Sequence, residues 1–196
     1  EQALLFAANP GSYVAPARQA EVIDNAEVTQ ASARGLDRTG VTTTLIRDIN
    51  CSENVLVDLA SVSGDGINFA NTFGSTVFEK FTIHGNFVTN SQDASGNGIR
   101  VSSTDTSLQD LTITENQIGN AANVGLPCRG INVLTNISGA SSTALRRVVI
   151  SENTVHCDAN SCVRLSIDGL IESLTISANI LDADNTPGYP ISILNT

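Results

Sequence analysis

The sequence predicts an all-β solenoid, a chain wound into stacked parallel coils, and two observations predict it. The first is a pattern, apolar-x-x-apolar-x-apolar-x-x-Asn, that recurs five times. Its copies are carried by Ile46, Ile49, Cys51 and Asn54; by Phe78, Phe81, Ile83 and Asn86; by Leu108, Leu111, Ile113 and Asn116; by Leu145, Val148, Ile150 and Asn153; and by Ile171, Leu174, Ile176 and Asn179. The asparagines fall at 54, 86, 116, 153 and 179, spacings of 32, 30, 37 and 26 residues, within the range of stacked repeat units. The second observation is a short element downstream of each asparagine: Gly66-Ile67-Asn68-Phe69, Gly98-Ile99-Arg100-Val101, Gly130-Ile131-Asn132-Val133, Cys162-Val163-Arg164-Leu165 and Pro190-Ile191-Ser192-Ile193. Alternation over so few positions has the period of a strand with one buried face, whereas a helix needs steps of three and four. Each repeat therefore supplies at least two short strands and the corners between them.

The asparagine suits such a corner. It tolerates the left-handed backbone that a tight turn needs, and its amide can donate to and accept from the copies above and below. On these residues the chain resembles the right-handed parallel β-helices of the pectate-lyase-like type, over at least Ile46 to Thr196. The resemblance implies parallel strands stacked coil on coil, with Asn54, Asn86, Asn116, Asn153 and Asn179 as a structural ladder.

Composition agrees with a narrow core. Of 196 residues 41% are hydrophobic, but aromatics are only 4% and there is no Trp or Met, as expected where stacked Ile, Leu and Val fill the interior. The formal charge of −10 argues against a direct grip on nucleic acid or an anionic membrane. No stretch reaches the apolar length of a membrane span. The chain starts at Glu1 and stops within a coil pattern, which reads as a mature form or a piece of a longer chain; a last coil with an open edge then wants more chain or another molecule against it.

Taken in order, Ala3 to Ala8 reads as a strand and Asn9-Pro10-Gly11-Ser12 as a turn. From Ala17 to Ala33 two readings compete: a short capping helix, or a degenerate first coil with Ala17, Ala20, Val22 and Asn25 aligned 29 residues before Asn54. Gly35 to Gly40 reads as a corner. Residues 1–45 are thus an irregular N-terminal coil or cap, and 46–196 the β-helix proper of about five clear coils. The polar stretches Ser91 to Asn97 and Ser102 to Ser107 read as surface loops, and the longest loop falls between Gly119 and Ala144.

Cys51 takes the inward place that isoleucine fills in the other copies and reads as a buried thiol. Cys128, Cys157 and Cys162 are disulfide candidates: Cys157 and Cys162 bracket a four-residue loop, and Cys128 and Cys162 fall on adjacent coils. A bridge among them implies an oxidising compartment. A zinc site from His156, Cys157, Asp158 and Cys162 lacks the paired short-spaced ligands of structural zinc.

Three outward columns follow from the alignment. Asn50, Thr82, Thr112, Val149 and Thr175 form one, and Ser52, His84, Thr114, Ser151 and Ser177 the next. The plain reading is that hydroxyl and β-branched residues suit an exposed strand; a water-ordering array is interrupted by His84 and Val149. The third column, Asn68, Arg100, Asn132 and Arg164, with Ser192 after it, is the candidate ligand surface. Arg100 and Arg164 stand two coils apart, roughly 10 Å, and arginine suits the carboxylate or sulfate of an acidic sugar; the plainer alternative is solvated side chains paired with nearby Asp.

The resemblance also implies enzymes acting on acidic polysaccharide, either a calcium-dependent lyase with an Arg base or a hydrolase with clustered Asp. The hydrolase motifs Asn-Thr-Asp, Asp-Asp, Gly-His-Gly and Arg-Ile-Lys are absent, and no two acidic residues are evident on one outward column of neighbouring coils, as hydrolysis needs. Asp48 and Asp110 share a column with Lys80 between them. Calcium wants several oxygen ligands together, and Asp182-Ala183-Asp184-Asn185 is only a faint match, so no cofactor is assigned beyond the option of calcium. The first expectation is a non-catalytic extracellular or cell-surface module, structural or adhesive, whose partner is a polysaccharide or another surface protein. A polysaccharide lyase or glycoside hydrolase is the alternative, and a trimeric tail-spike-like protein a third; end-to-end association is the other oligomeric option.

Overall fold

Along Leu108–Thr114 the buried residues are Leu108, Leu111 and Ile113, a step of three and then a step of two. A strand alternates in steps of two, so the step of three holds an extra residue. That residue is Asp110, whose φ is 53°, and Lys80 and Arg147 repeat it in the coils on either side at 57° and 52°. A second step of three, from Ile113 to Asn116, holds Glu115 at φ 56°, matched by Glu53, Gly85, Glu152 and Ala178 at 54°, 63°, 60° and 54°. A left-handed residue reverses the side-chain alternation and bends the chain, so each x-x pair in the repeat encodes a bend.

The computed structural model describes residues 21–24, 27–29, 36–38, 45–57, 65–70, 77–89, 96–104, 107–119, 129–136, 143–157, 161–183 and 189–195, all in strands or the turns that join them. The first coil is β1 (Glu21–Asp24), β2 (Glu27–Thr29) and β3 (Leu36–Arg38); the second is β4 (Leu45–Ser52), β5 (Val55–Val57) and β6 (Ile67–Ala70). The third is β7 (Val77–His84), β8 (Phe87–Val88) and β9 (Asn97–Thr104), and the fourth β10 (Leu108–Thr114), β11 (Gln117–Ile118) and β12 (Arg129–Asn136). The fifth is β13 (Thr143–Ser151), β14 (Thr154–Cys157) and β15 (Ser161–Ile167). The sixth is β16 (Leu170–Ile171), β17 (Leu174–Ser177), β18 (Ile180–Ala183) and β19 (Ile191–Asn195). Like strands of successive coils pair in parallel, giving three sheets: β1-β4-β7-β10-β13 with β16 and β17, β2-β5-β8-β11-β14-β18, and β3-β6-β9-β12-β15-β19. The chain is a parallel β-helix.

Each of the first five coils has three strands, one more than the minimum read from the sequence, and the sixth splits the first of them into β16 and β17; the added one is the short strand after each asparagine. The register joins Ile49, Phe81, Leu111, Val148 and Leu174, and likewise Cys51, Ile83, Ile113, Ile150 and Ile176, as the repeat alignment requires. Three expectations are corrected. Gly35 to Gly40 is not only a corner, since β3 runs through it; and Ser102 to Thr104 belong to β9, with Ser103 buried. At the N-terminal end the sheet pairs Ile23 with Cys51 and Glu27 with Val55, one residue out of step from an alignment of Asn25 with Asn54. Residues 1–16, with their expected strand and turn, lie outside the described residues.

Inside, Ile, Leu and Val from the three sheets stack in columns, with Phe69 and Phe81 edge to face at 5.5 Å. In the sixth coil Leu170, Ile180, Tyr189, Ile191, Ile193 and Leu194 are exposed, because no described coil lies beyond it.

The corner asparagines form one continuous chain of hydrogen bonds. The Asn116 Oδ1 accepts from both the backbone N–H (3.0 Å) and the Nδ2 (2.8 Å) of Asn86. Asn153 does the same for Asn116 (3.0 and 2.9 Å), Asn179 for Asn153 (3.0 and 2.9 Å), and Asn86 for Asn54 (3.1 and 2.8 Å). Each Nδ2 also donates backward: Asn86 to the Cys51 carbonyl, Asn116 to Ile83, Asn153 to Ile113 and Asn179 to Ile150. The asparagine carbonyls accept in turn from Phe87, Gln117, Thr154 and Ile180. One part of the sequence argument fails: the left-handed residue is the one before each asparagine, not the asparagine. Turning one residue early aims the amide into the coil, where it meets its neighbours.

The bend column on the first sheet is charged. The Arg147 guanidinium reaches the Asp110 carboxylate with both Nε and Nη2, the latter at 2.8 Å, and Arg146 Nε meets Glu172 Oε2 at 2.6 Å. The hydrogen bond from Arg147 holds the Asp110 carboxyl below the usual carboxylate range.

Two outcomes follow. Asn116→Ala orphans the buried backbone N–H of Asn86, at about 1–3 kcal/mol, and removes the bonds of the Asn116 amide to Asn86 Nδ2, Asn153 Oδ1 and the Ile83 carbonyl, so urea unfolding is expected to show a loss of about 3–5 kcal/mol. Asn179→Ala, at the water-exposed end of the ladder, is expected to lose less than half of that. For Asp110→Asn the sign is set by a folded pKa below the unfolded one: the wild-type advantage is fully present above the unfolded value and vanishes as pH falls through the folded value. The difference in unfolding midpoint is expected to be small at pH 7, since both side chains are solvated, and to close in acid.

Candidate ligand-binding face

Along β6, Asn68 lies between the core residues Ile67 and Phe69, so it faces away from the coil interior. The register places Asn68, Arg100, Asn132, Arg164 and Ser192 side by side across the third sheet, as the alignment predicted. They are not a solvated stripe, however. Asn68 and Asn132 are buried, at 1% and 3% exposure, while Arg100 and Arg164 are half-buried.

A second polar column, not singled out in the sequence, accompanies the first. Asp65, Asn97, Arg129 and Ser161 stand three residues earlier in successive coils, each just before Gly66, Gly98, Gly130 or Cys162. The two columns interlock. The Asp65 Oδ1 accepts from Asn97 N–H at 3.0 Å and from Asn97 Nδ2 at 2.5 Å, and Asp65 Oδ2 lies 3.6 Å from Arg100 Nη1. The Asn97 Oδ1 then accepts from Asn132 Nδ2 at 2.9 Å. Asp65 is 4% exposed, so its charge is held by these donors rather than by water.

The network is incomplete. Among the described residues Arg100 Nε, Arg129 Nε and Asn132 Oδ1, all buried, have no hydrogen-bond partner. Among the described residues Arg129 has no ion-pair partner, although the chain carries twice as many acidic as basic side chains. Buried polar atoms in native proteins are nearly always satisfied. The unmet set here is two guanidinium donors and one amide acceptor, which a group offering both an anionic oxygen and a hydroxyl complements.

Other sequence candidates fall elsewhere. His84 lies on the first sheet at the asparagine corner, with Nδ1 3.3 Å from Thr114 Oγ1, Nε2 3.6 Å from Glu53 Oε1 and Nδ1 4.0 Å from Glu115 Oε1. Gly85, in the left-handed column beside it, leaves the room that Glu53 uses: a Cβ there would sit 2.2 Å from Glu53 Oε1. The same column puts Glu115 and Glu152 on neighbouring coils, since Thr114 pairs with Ser151. That corrects the expectation that no outward column holds two adjacent acids. Both glutamates are exposed, whereas an acid of a hydrolytic pair is kept protonated by burial or a like charge.

Asp110 pairs with Arg147, a partner not anticipated for it, and the side chain of Asp48 lies outside the described residues. His156 Nδ1 lies 3.3 Å from Asp182 Oδ2. Cys157 and Cys162 come together at 2.7 Å between sulfurs, as thiols, and Cys51 is also a buried thiol. Cys128, Asp158, Asp184 and Asn185 lie outside the described residues. Among the described residues no three His, Cys, Asp or Glu side chains converge as metal ligands, and no helix is long and apolar enough to cross a membrane.

Asp65→Ala removes the acceptor of two Asn97 donors and the ion-pair partner of Arg100, and a loss of about 2–4 kcal/mol in urea unfolding is expected. Adding Arg100→Met should recover part of it, because the guanidinium no longer faces an empty partner position.

No family model, curated protein or solved structure matches this chain.

Proposed function

We propose that the protein is a non-catalytic β-helix module of a surface or secreted protein, and that its third sheet binds acidic carbohydrate. The observation that carries this reading is that Arg100 Nε, Arg129 Nε and Asn132 Oδ1 are unmet among the described residues, beside the hydrogen bonds that join Asp65, Asn97 and Asn132. A uronic acid presents a carboxylate for the guanidinium groups and a hydroxyl to donate to the amide oxygen, and arginine favours such planar two-point recognition. Parallel strands repeat these groups at about 4.8 Å from coil to coil, a spacing on which a chain molecule can engage several at once. The pectate-lyase-like resemblance supports the same ligand class. It does not by itself bring the activity, because the hydrolase motifs are absent from the sequence and fold alone does not assign chemistry.

The alternative of a polysaccharide lyase or hydrolase draws on one observation, the neighbouring Glu115 and Glu152 at the asparagine corner. Those residues lie on a different sheet from the polar network, so the two readings separate by mutation. An end-to-end or trimeric assembly would use the exposed apolar side chains of the sixth coil.

Titration calorimetry with an oligogalacturonate and with a neutral oligosaccharide of equal length, with and without calcium, tests the proposal. Binding of the acidic ligand is expected, weakening with salt, and Arg129→Ala should reduce it about tenfold or more while Glu115→Gln leaves it unchanged. Equal binding of the neutral sugar, or indifference to Arg129→Ala, contradicts the proposal. Release of shortened or unsaturated sugars on incubation would replace it with the enzymatic reading.

A further inference from the structure

The third strand of each inner coil carries a small residue at its start: Gly66 just before β6, and Gly98, Gly130 and then Cys162 as the second residues of β9, β12 and β15. At the glycines an added Cβ would lie 2.4 Å from Val88 Cγ1, 2.2 Å from Ile118 Cγ2 and 2.0 Å from Val155 Cγ1, side chains of the next coil's short strand. Contacts that close leave no room for a side chain, so glycine is a packing requirement there. In the fifth coil the residue above is Leu181, paired in register with Val155 and only half-buried. The looser end of the helix admits a cysteine into the glycine column.

The admitted sulfur is not idle. Cys162 Sγ lies 2.7 Å from Cys157 Sγ, at the end of β14, and both residues are fully buried. That separation is only roughly 0.7 Å more than a disulfide bond. Cys162 Sγ also lies 3.3 Å from the Asp182 carbonyl oxygen in the sixth coil, to which its S–H donates. The two sulfurs thus close the corner between the second and third strands of the fifth coil, and one of them touches the coil beyond.

We propose that Cys157 and Cys162 are a redox couple, a dithiol that hydrogen peroxide converts to a disulfide across this corner. Cys162 is the attacking sulfur: its thiolate takes one oxygen from the peroxide as the O–O bond breaks, leaving a sulfenic acid and, after protonation, water. The Cys157 sulfur then attacks that sulfur, the S–O bond breaks, a second water leaves and the S–S bond forms. Two thiols and one peroxide give one disulfide and two waters. The hydrogen bond from Cys157 lowers the Cys162 thiol pKa, against opposing burial and the Asp182 charge, which raises the thiolate fraction of that sulfur. Oxidation consumes the S–H that Cys162 donates to Asp182, so the covalent link tightens the fifth coil while releasing one contact to the sixth.

The test is peptide mapping after denaturing alkylation, on folded protein treated with hydrogen peroxide and, separately, on protein refolded from denaturant in a glutathione redox buffer that reaches all sulfurs. A Cys157–Cys162 link is expected in both arms, with Cys51 alkylated throughout. The thermal midpoint of the linked form should lie about 4–8 °C above that of the reduced form, a rise kept by Cys128→Ser and lost in Cys157→Ser. Absence of the link in either arm, a bridge to Cys128, or sulfinic acid at Cys162 without a bridge overturns the proposal.

Discussion

Everything in this protein depends on the asparagine ladder at one corner of the coil. A corner that turns within three residues strands backbone groups inside a dry interior, and a buried backbone group without a partner costs as much as a lost hydrogen bond. Asn86, Asn116 and Asn153 remove that cost in a single stroke, since the backbone N–H, the backbone carbonyl and both ends of the side-chain amide are all engaged. The same bonds fix the register between coils, because each amide must meet the next at the same height. Once that corner is in register, the strands before and after it are too, and the core columns of Ile, Leu and Val stack without further instruction.

This constraint explains why the fold was legible in the sequence although its coils differ in length. The repeat is defined by what cannot vary, the apolar places and the asparagine, while length differences fall in the loops. The two steps of three in the pattern were visible as spacing, but their cause was not: the left-handed residues are Lys80, Asp110 and Arg147 at the first step, and Glu53, Glu115, Glu152 and Ala178 as well as Gly85 at the second, and nothing in a glutamate or an arginine announces that conformation. Ser102 to Thr104 looked like a loop because polarity was read without the parallel neighbours that make it a strand. The N-terminal coil slipped by one residue because Asn25 offered a tempting match to Asn54, whereas backbone pairing aligned Ile23 with Cys51.

The candidate site was half legible. Alternation put Asn68, Arg100, Asn132 and Arg164 on one face, and the sheet keeps them there. Their burial was not legible, nor was the partner column of Asp65, Asn97, Arg129 and Ser161, although each of these immediately precedes a residue of the glycine column. A column of polar residues just ahead of a packing glycine is a signal that aligned repeats contain. Seen with both columns, the third sheet carries a polar network in its outer face, where the Asp65 carboxylate accepts two hydrogen bonds from Asn97 and stands beside Arg100, while Arg100 Nε, Arg129 Nε and Asn132 Oδ1 are unmet among the described residues. The first sheet behaves differently: its charges at Asp110, Arg147, Arg146 and Glu172 pair with one another, in the manner of a solvated surface. The contrast between a satisfied face and an unsatisfied one is the reason to place ligand recognition on the third sheet.

The ladder can be tested without altering any residue, by following amide hydrogen exchange by NMR on the intact chain. The account requires the backbone N–H of Asn86, Asn116 and Asn153, which donate to a side-chain oxygen of the next coil, to exchange as slowly as the core strand amides of Ile83, Ile113 and Ile150, and their side-chain NH2 protons to be protected as well. Exchange of those asparagine protons at the rate of freely solvated amides, with the strands still protected, would contradict the claim that this corner holds the coils in register.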